Sequence, residues 1–158
     1  MSIAGMSGDN SGSGQGGPPP APPEGPCTCA QVRRAARGLT RDYDRALKPA
    51  GLKLTQYSVL ANLVRAGGLT ITELAERLAM DRTTLTRNLR PLERQGWIAL
   101  AAGPDRRCRK VMATAKGRRR YEAALPLWRE AERAFRSRMG EQEAAALHRL
   151  LGEALARP

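Results

Sequence analysis

Apolar residues recur every three or four positions over residues 31–48. Val32, Ala35, Ala36, Leu39, Tyr43, Ala46 and Leu47 share one face, and Arg33, Arg34, Arg37, Arg41 and Arg45 lie off it. That period predicts an amphipathic helix, ended by Pro49 and Gly51. The same spacing puts Tyr57, Leu60, Leu63 and Val64 on the inner side of a second helix over 55–66, with Thr55 as its cap and Gly67-Gly68 as its stop. Thr70-Ile71-Thr72-Glu73 then reads as a capping box, in which a threonine caps a new helix and a glutamate reaches back to it. The third helix is short, with Leu74 and Leu78 inside, and Met80-Asp81 makes a turn. Asp81 is placed to cap a fourth helix to about residue 95, with Leu85, Leu89 and Leu92 inward and Gly96 as the left-handed residue beyond its end.

After residue 96 the pattern changes. Trp97-Ile98-Ala99-Leu100 is a short apolar run of strand type, Ala102-Gly103-Pro104-Asp105 a turn, and residues 109–113 a returning strand. Thr114 is placed to cap a fifth helix to about residue 139, whose Leu125, Trp128, Ala131 and Phe135 share a face and whose Pro126 should kink it. Gly140 separates a last helix over 141–156, with Leu147, Leu150, Leu151 and Leu155 expected inward. Residues 1–26 break with all of this. They hold seven Gly and six Pro, half of the segment, and too few bulky apolar side chains to offset the entropy of ordering. They are expected to be a disordered tail. The remaining residues, 27–156, suffice for one ordinary core, and the element order predicts a mainly α fold with a small β-ribbon.

Charge adds a partner to this picture. The 158-residue chain has a formal charge of +12, and residues 81–120 alone hold twelve Lys or Arg against three acids. A clustered basic segment inside a folded domain is the footprint of a nucleic-acid binder, although a solubilising surface or affinity for anionic membranes would share it. No apolar run approaches the ~18 residues needed to span a bilayer, so no membrane partner is expected. No export signal is visible at the N-terminus, and with three Cys this suggests a reducing cytoplasm without a disulfide framework. A Gly-rich phosphate loop, a Ser/His/Asp set and a metal-ligating cluster are all lacking, and His148 is the one histidine, on the last helix. The chain is therefore expected to be no enzyme, with no cofactor and no bound metal.

Two short helices joined by a tight turn and followed at once by a ribbon form a winged helix-turn-helix pattern. The second helix must enter a major groove of ~12 Å, so its outward face should be polar and short near its start. Asp81, Arg82, Thr83, Thr84, Thr86, Arg87, Asn88 and Arg90 meet that demand. Threonine can bond phosphates or bases and touch thymine methyls, and arginine can bond guanine with two parallel hydrogen bonds. At the ribbon tip, Arg106 and Arg107 suit a narrow, electronegative minor groove. Such a helix taken alone is as often a solvated surface helix. The ordered combination of capping box, turn, Thr/Arg helix, ribbon and Arg tip is what makes the pattern specific.

These residues also resemble the MarR family of bacterial regulators. The likeness runs through Leu54-Thr55-Gln56 to Leu60, Thr72-Glu73-Leu74-Ala75, Met80-Asp81-Arg82-Thr83-Thr84-Leu85-Thr86-Arg87 and Leu92-Glu93-Arg94-Gln95-Gly96. It closes on Asp105-Arg106-Arg107 and Thr114-Ala115-Lys116-Gly117, and spans roughly 31–156. The resemblance implies a homodimer in which helices of 27–50 and 114–156 interlock around DNA-binding lobes of 52–113, two recognition helices reading a pseudo-palindromic site. It implies DNA contacts from Thr83, Thr84, Thr86 and Arg87, a wing carrying Arg106 and Arg107, and Asp105 bracing that wing. Pro91 inside the recognition helix and the long Gly/Pro tail depart from the family pattern. Independently, the apolar faces of the first and the last two helices exceed what a small winged core covers, which marks an interface.

A regulator needs a signal, and two kinds are offered. Cys27 and Cys29 precede the first helix, while Cys108 lies beside the wing among Arg106, Arg107, Arg109 and Lys110, basic neighbours that favour a reactive thiolate. The resembled family includes members that sense oxidants through an N-terminal cysteine, and soft metals are another option for such thiols. Incidental thiols are the plain alternative. The second kind is a small aromatic effector of the sort the family often holds between dimerisation helices and lobe. Tyr43, Tyr57 and Trp128 are the candidates to line its pocket, with ordinary core packing as the alternative. The function expected is a sequence-specific DNA-binding transcriptional regulator, a repressor on this reading. A nonspecific architectural DNA binder and a protein-interaction module are its rivals.

Overall fold

The computed structural model describes residues 25–102 and 109–156. Helices α1 (Thr28–Leu47), α2 (Leu54–Ala66), α3 (Ile71–Arg77), α4 (Arg82–Arg94), α5 (Ala115–Met139) and α6 (Glu141–Ala156) carry most of that chain. Strands β1 (Leu69–Thr70), β2 (Ile98–Ala102) and β3 (Arg109–Ala113) form one antiparallel sheet in the order β1-β3-β2. This is the mainly α winged helix-turn-helix class, with three strands where two were expected. Strand β1 is two residues long, too short to show an alternating pattern, and it pairs Leu69 with Val111 and Thr70 with Lys110. The ribbon itself runs from Ile98 opposite Ala113 to Ala102 opposite Arg109.

Local chemistry sets most boundaries. The capping box of α3 is present: the Thr70 hydroxyl accepts from the Glu73 N–H at 3.2 Å, and the Glu73 carboxylate accepts from the Thr70 N–H at 2.7 Å. Helix α4 ends on Gly96 at φ 67°. The Gly96 N–H donates to the Glu93 carbonyl at 2.8 Å and the Trp97 N–H to that of Leu92 at 2.9 Å, satisfying two orphan carbonyls. Helix α3 ends in the same way on a residue with a side chain. Ala79 sits at φ 49°, with its N–H on Glu76 and the Met80 N–H on Ala75. The turn of the helix-turn-helix thus begins one residue before Met80-Asp81, and its left-handed alanine costs about 1 kcal/mol against glycine.

The start of α2 departs from expectation. Lys53, not Thr55, is the cap residue. The Leu54 N–H donates to the Asp44 carboxylate at 2.6 Å, and the Lys53 N–H to the Gln56 side-chain oxygen at 3.0 Å. Because the first acceptor comes from α1, ten residues upstream, no local signal announces it. Helix α1 also starts earlier than its apolar period suggests, at Thr28 with Cys27 in the cap position.

The core gathers around α2. Leu47, Val59, Leu60, Leu63, Leu74, Leu85, Leu92 and Val111 are fully enclosed. Helix α5 is seated on this lobe at close range. A Cβ added to Gly117 would lie 1.9 Å from the Trp97 carbonyl oxygen, so no other residue fits there without moving the backbone. Thr114 accepts from the Gly117 N–H at 3.1 Å and donates its hydroxyl to the Gly96 carbonyl at 2.7 Å. Arg120 donates to the Ala50 carbonyl at 3.0 Å and lies 5.2 Å from the Trp97 ring centroid, a cation–π distance.

Helix α5 runs as a single helix from Ala115 to Met139 with Pro126 inside it, and beyond this seat one expectation needs correction. In α6 only Ala144 is buried; Leu147 is half-buried, and Leu150, Leu151 and Leu155 are 53, 39 and 79% exposed. Within one chain α6 finds its main neighbour in α5, near Gly140, and its later turns project past the core. Val32 on α1 is likewise 46% exposed. The amphipathic period was real, but its apolar side is not covered by this chain.

Candidate nucleic-acid interface

Helix α4 is built to present one polar face. Leu85, Leu89 and Leu92 recur at four and three residues and fix its inner side in the core. Asp81 fixes its start: one carboxylate oxygen accepts from the Thr84 N–H at 2.8 Å and the other from the Thr84 hydroxyl at 2.6 Å. These bonds hold the Asp81 carboxyl below its ordinary range, and those from the Thr70 hydroxyl and N–H do the same for Glu73. Two acids of the helix-turn-helix are thereby engaged as caps.

The outer side of α4 forms a shallow groove lined by Arg82, Thr83, Thr86, Arg87 and Arg90. The ion pairs among the described residues all lie in α1, α5 and α6, leaving these three arginines without a carboxylate partner. The threonines differ from one another. The Thr84 hydroxyl proton is given to Asp81 and the side chain is half-buried. The Thr86 hydroxyl donates to the Arg82 carbonyl at 2.7 Å, which leaves its lone pairs and methyl group outward. Thr83 is exposed, and no hydrogen bond occupies its hydroxyl among the described residues. Asn88, expected outward, is half-buried, and its amide points at the Met80 sulfur at 3.6 Å. Arg90 stays on the groove although Pro91 follows it, because α4 runs on through Pro91 to Arg94.

A second cleft adjoins the first. Lys53, Thr55 and Gln56 from the start of α2 face Arg87, Asn88 and Pro91 across it. The sequence reading missed Lys53 as part of this face because the cap of α2 was placed two residues late. Arg106, Arg107, Asp105 and Cys108 of the expected wing lie outside the described residues.

The other candidates fall into two places. Tyr57 stacks on Trp128 with centroids 5.7 Å apart and on Tyr121 at 5.6 Å, and Tyr43 lies 6.4 Å from Trp128. The three expected aromatic residues thus come together where α1, α2 and α5 meet. Burial, with the neighbouring Tyr121, pushes the Tyr57 phenol up to about 12. Burial and a short hydrogen bond from its hydroxyl to Glu132 raise that of Tyr43 still further. Beside Tyr43, a cleft of about 280 Å³ opens between α1 and α5, lined also by Leu39, Phe135 and Arg138. Cys27 and Cys29 are free and exposed at the start of α1. Among the described residues no group of three or more His, Cys, Asp or Glu converges as a metal site, and no helix is long and apolar enough to cross a membrane.

A helix-turn-helix whose second helix turns unpaired arginines and threonines outward, backed by an antiparallel ribbon, defines a winged helix-turn-helix DNA-binding protein. The MarR family profile matches residues 50–107. The HTH-type transcriptional regulator YybA of Bacillus subtilis, itself uncharacterized, is 30% identical over 128 residues, 76% of this chain and 83% of that protein. The crystal structure of the Mycobacterium tuberculosis regulator MosR in complex with DNA is 40% identical, with a TM-score of 0.70 over 84% of this chain and 100% of that one. The transcriptional repressor CouR bound to a 23-mer DNA duplex is 28% identical, with a TM-score of 0.74 over 83% and 93% of the two chains. The chain belongs to the MarR family. It is a DNA-binding transcriptional regulator and not an enzyme.

The caps generate a pH prediction. Because Asp81 and Glu73 are held below their ordinary range in the folded chain, their contribution is present at neutral pH and is lost as pH falls through the depressed values. Asp81→Asn, which keeps a capping oxygen but cannot titrate, should flatten the fall in melting temperature between neutral pH and about pH 3. An unchanged slope in thermal melts would show that Asp81 is not a linked group.

Proposed function

We propose that this regulator is a homodimeric, sequence-specific repressor in the cytoplasm, acting on a pseudo-palindromic operator and modulated by a small ligand or by thiol state. The groove of unpaired arginines on α4 carries the reading. An isolated cationic helix face would serve any duplex, but Thr83, Thr86 and Arg87 add short groups and a planar fork able to discriminate base edges. Arg82, Thr83, Thr84, Thr86 and Arg87 are assigned to DNA, Thr84 through its methyl group and lone pairs, and Arg106 and Arg107 to the wing. A nonspecific architectural role is the second reading, favoured by the same net charge.

Repression is supported by the likeness to the transcriptional repressor CouR, which shares the fold and is 28% identical. The dimer is supported by the exposed apolar side chains of Val32 on α1, Met139 on α5 and Leu150, Leu151 and Leu155 on α6. Enclosing a leucine is worth about 1.5–3 kcal/mol, so side chains of this kind favour covering by a second copy. For modulation, the aromatic cluster of Tyr43, Tyr57 and Trp128 with its adjoining cleft offers a seat for a small aromatic effector at the junction of α1 and α5. The alternative signal is oxidation at Cys27, Cys29 or Cys108.

Arg87→Ala should weaken binding to a selected operator about tenfold or more while changing affinity for unrelated duplexes much less. Equal losses on both would establish the architectural reading. Leu150→Glu combined with Leu151→Glu should reduce the sedimenting species from twice the 17.2 kDa chain mass to the single mass. A species of doubled mass in that variant would refute the role given to α6. If a thiol is the signal, peroxide should release DNA from the wild-type chain, and replacing the responsible cysteine by serine should abolish release. Release that persists with all three replaced would remove the cysteines as the sensor.

A further inference from the structure

Arg82 lines the groove with its neighbours, but it also bonds outside α4. Its terminal nitrogen donates to the Thr72 hydroxyl oxygen at 2.6 Å, so the guanidinium is turned back over the first turn of α3. Both residues are exposed, and the bond crosses ten residues between two helices. Guanidinium has five N–H donors, and this bond uses one. Thr72 uses an acceptor lone pair here, and no hydrogen bond among the described residues uses its hydroxyl proton. The carboxylates next in sequence to this pair are occupied: Glu73 by Thr70 and Asp81 by Thr84. Lys110, opposite Thr70 in the sheet, brings a further positive charge close enough to act on Glu73.

We propose that Thr72 and Arg82 form a clamp for one DNA backbone phosphate at the edge of the groove. Arg82 is thereby a backbone contact rather than a base reader, and Thr72 fixes its direction. The proposal rests on α4 being the recognition helix. A phosphate oxygen set against this pair accepts from the remaining Arg82 donors, in the geometry a guanidinium fork favours, and from the Thr72 hydroxyl. Base edges are left to Thr83, Thr86, Arg87 and Arg90. One contact of this kind fixes register without carrying sequence information.

The experiment measures affinity for a selected operator and for an unrelated duplex across a salt series, for Arg82→Ala, Thr72→Val, Thr72→Ser and the double variant Thr72→Val/Arg82→Ala. Arg82→Ala should weaken both duplexes by the same factor and lower the steepness of the log–log salt dependence by about one. Thr72→Val should weaken both several-fold without altering base preference, and Thr72→Ser should retain wild-type binding. Adding Thr72→Val to Arg82→Ala should cost less than it does alone, because the two act as a unit. A change of base preference in Arg82→Ala would overturn the clamp and make Arg82 a base reader. So would a Thr72→Val loss that is undiminished in the double variant. Arg87→Ala in the same series separates the two failures: if it still relaxes base preference, α4 remains the recognition helix and only the clamp is lost. Melting temperatures of each variant distinguish loss of binding from loss of fold.

Discussion

The seat of α5 on the end of α4 is the constraint on which the rest depends. Gly117 passes the Trp97 backbone with no room for a Cβ, Thr114 ties the Gly96 carbonyl to the first turn of α5, and Arg120 reaches both Trp97 and Ala50. Three contacts therefore join the turn that follows α4, and the one that precedes α2, to the helix that leads toward α6. Packed backbone at this distance deforms little. The direction of α4 in the lobe and that of α5 beneath it are one rigid geometry. In the proposed dimer, where α6 and α1 meet their copies, this rigidity sets the spacing and angle of the two recognition helices.

Electrostatics then decides what the lobe can hold. Two acids of the helix-turn-helix are spent on capping, Glu73 on α3 and Asp81 on α4, while the arginines of α4 form no ion pair with a carboxylate among the described residues. Surface ion pairs do form in this protein, but on α1, α5 and α6, away from that groove. The separation leaves the basic charge of the lobe uncompensated, so a polyanion binds without first breaking pairs. It also implies affinity that falls with salt as counterions return to the DNA. The aromatic junction of Tyr43, Tyr57 and Trp128 lies between the arm and the lobe, where α1, α2 and α5 converge. A ligand that shifts this junction would act on the seat itself.

Much of this was legible in the residues. The capping box at Thr70 and Glu73, the glycine stop at Gly96, the apolar periods and the basic segment are local signals, and each appears where its chemistry demands. What escaped was tertiary. The start of α2 is held by Asp44 from another helix, and β1 exists only because β3 offers it a partner. Asn88 turns inward toward Met80, although helical spacing alone puts it beside Arg87 on the polar side. The leucines of α6 show the limit from the other direction. Their period was read correctly as an apolar face, but a sequence does not say whether that face is covered by its own chain or by another. The candidate site was legible in Thr83, Thr86, Arg87 and Arg90, whereas the backward reach of Arg82 to Thr72 required coordinates.

The most direct test of the account selects binding sites for the purified protein from random duplexes, in reducing buffer near physiological salt. Two recognition helices held by a common arm predict recovery of an inverted repeat with half-site centres about one helical turn (~10 bp) apart. Retained binding with no enriched sequence would contradict the claim that α4 reads bases, and enrichment of a lone half-site would contradict the dimer.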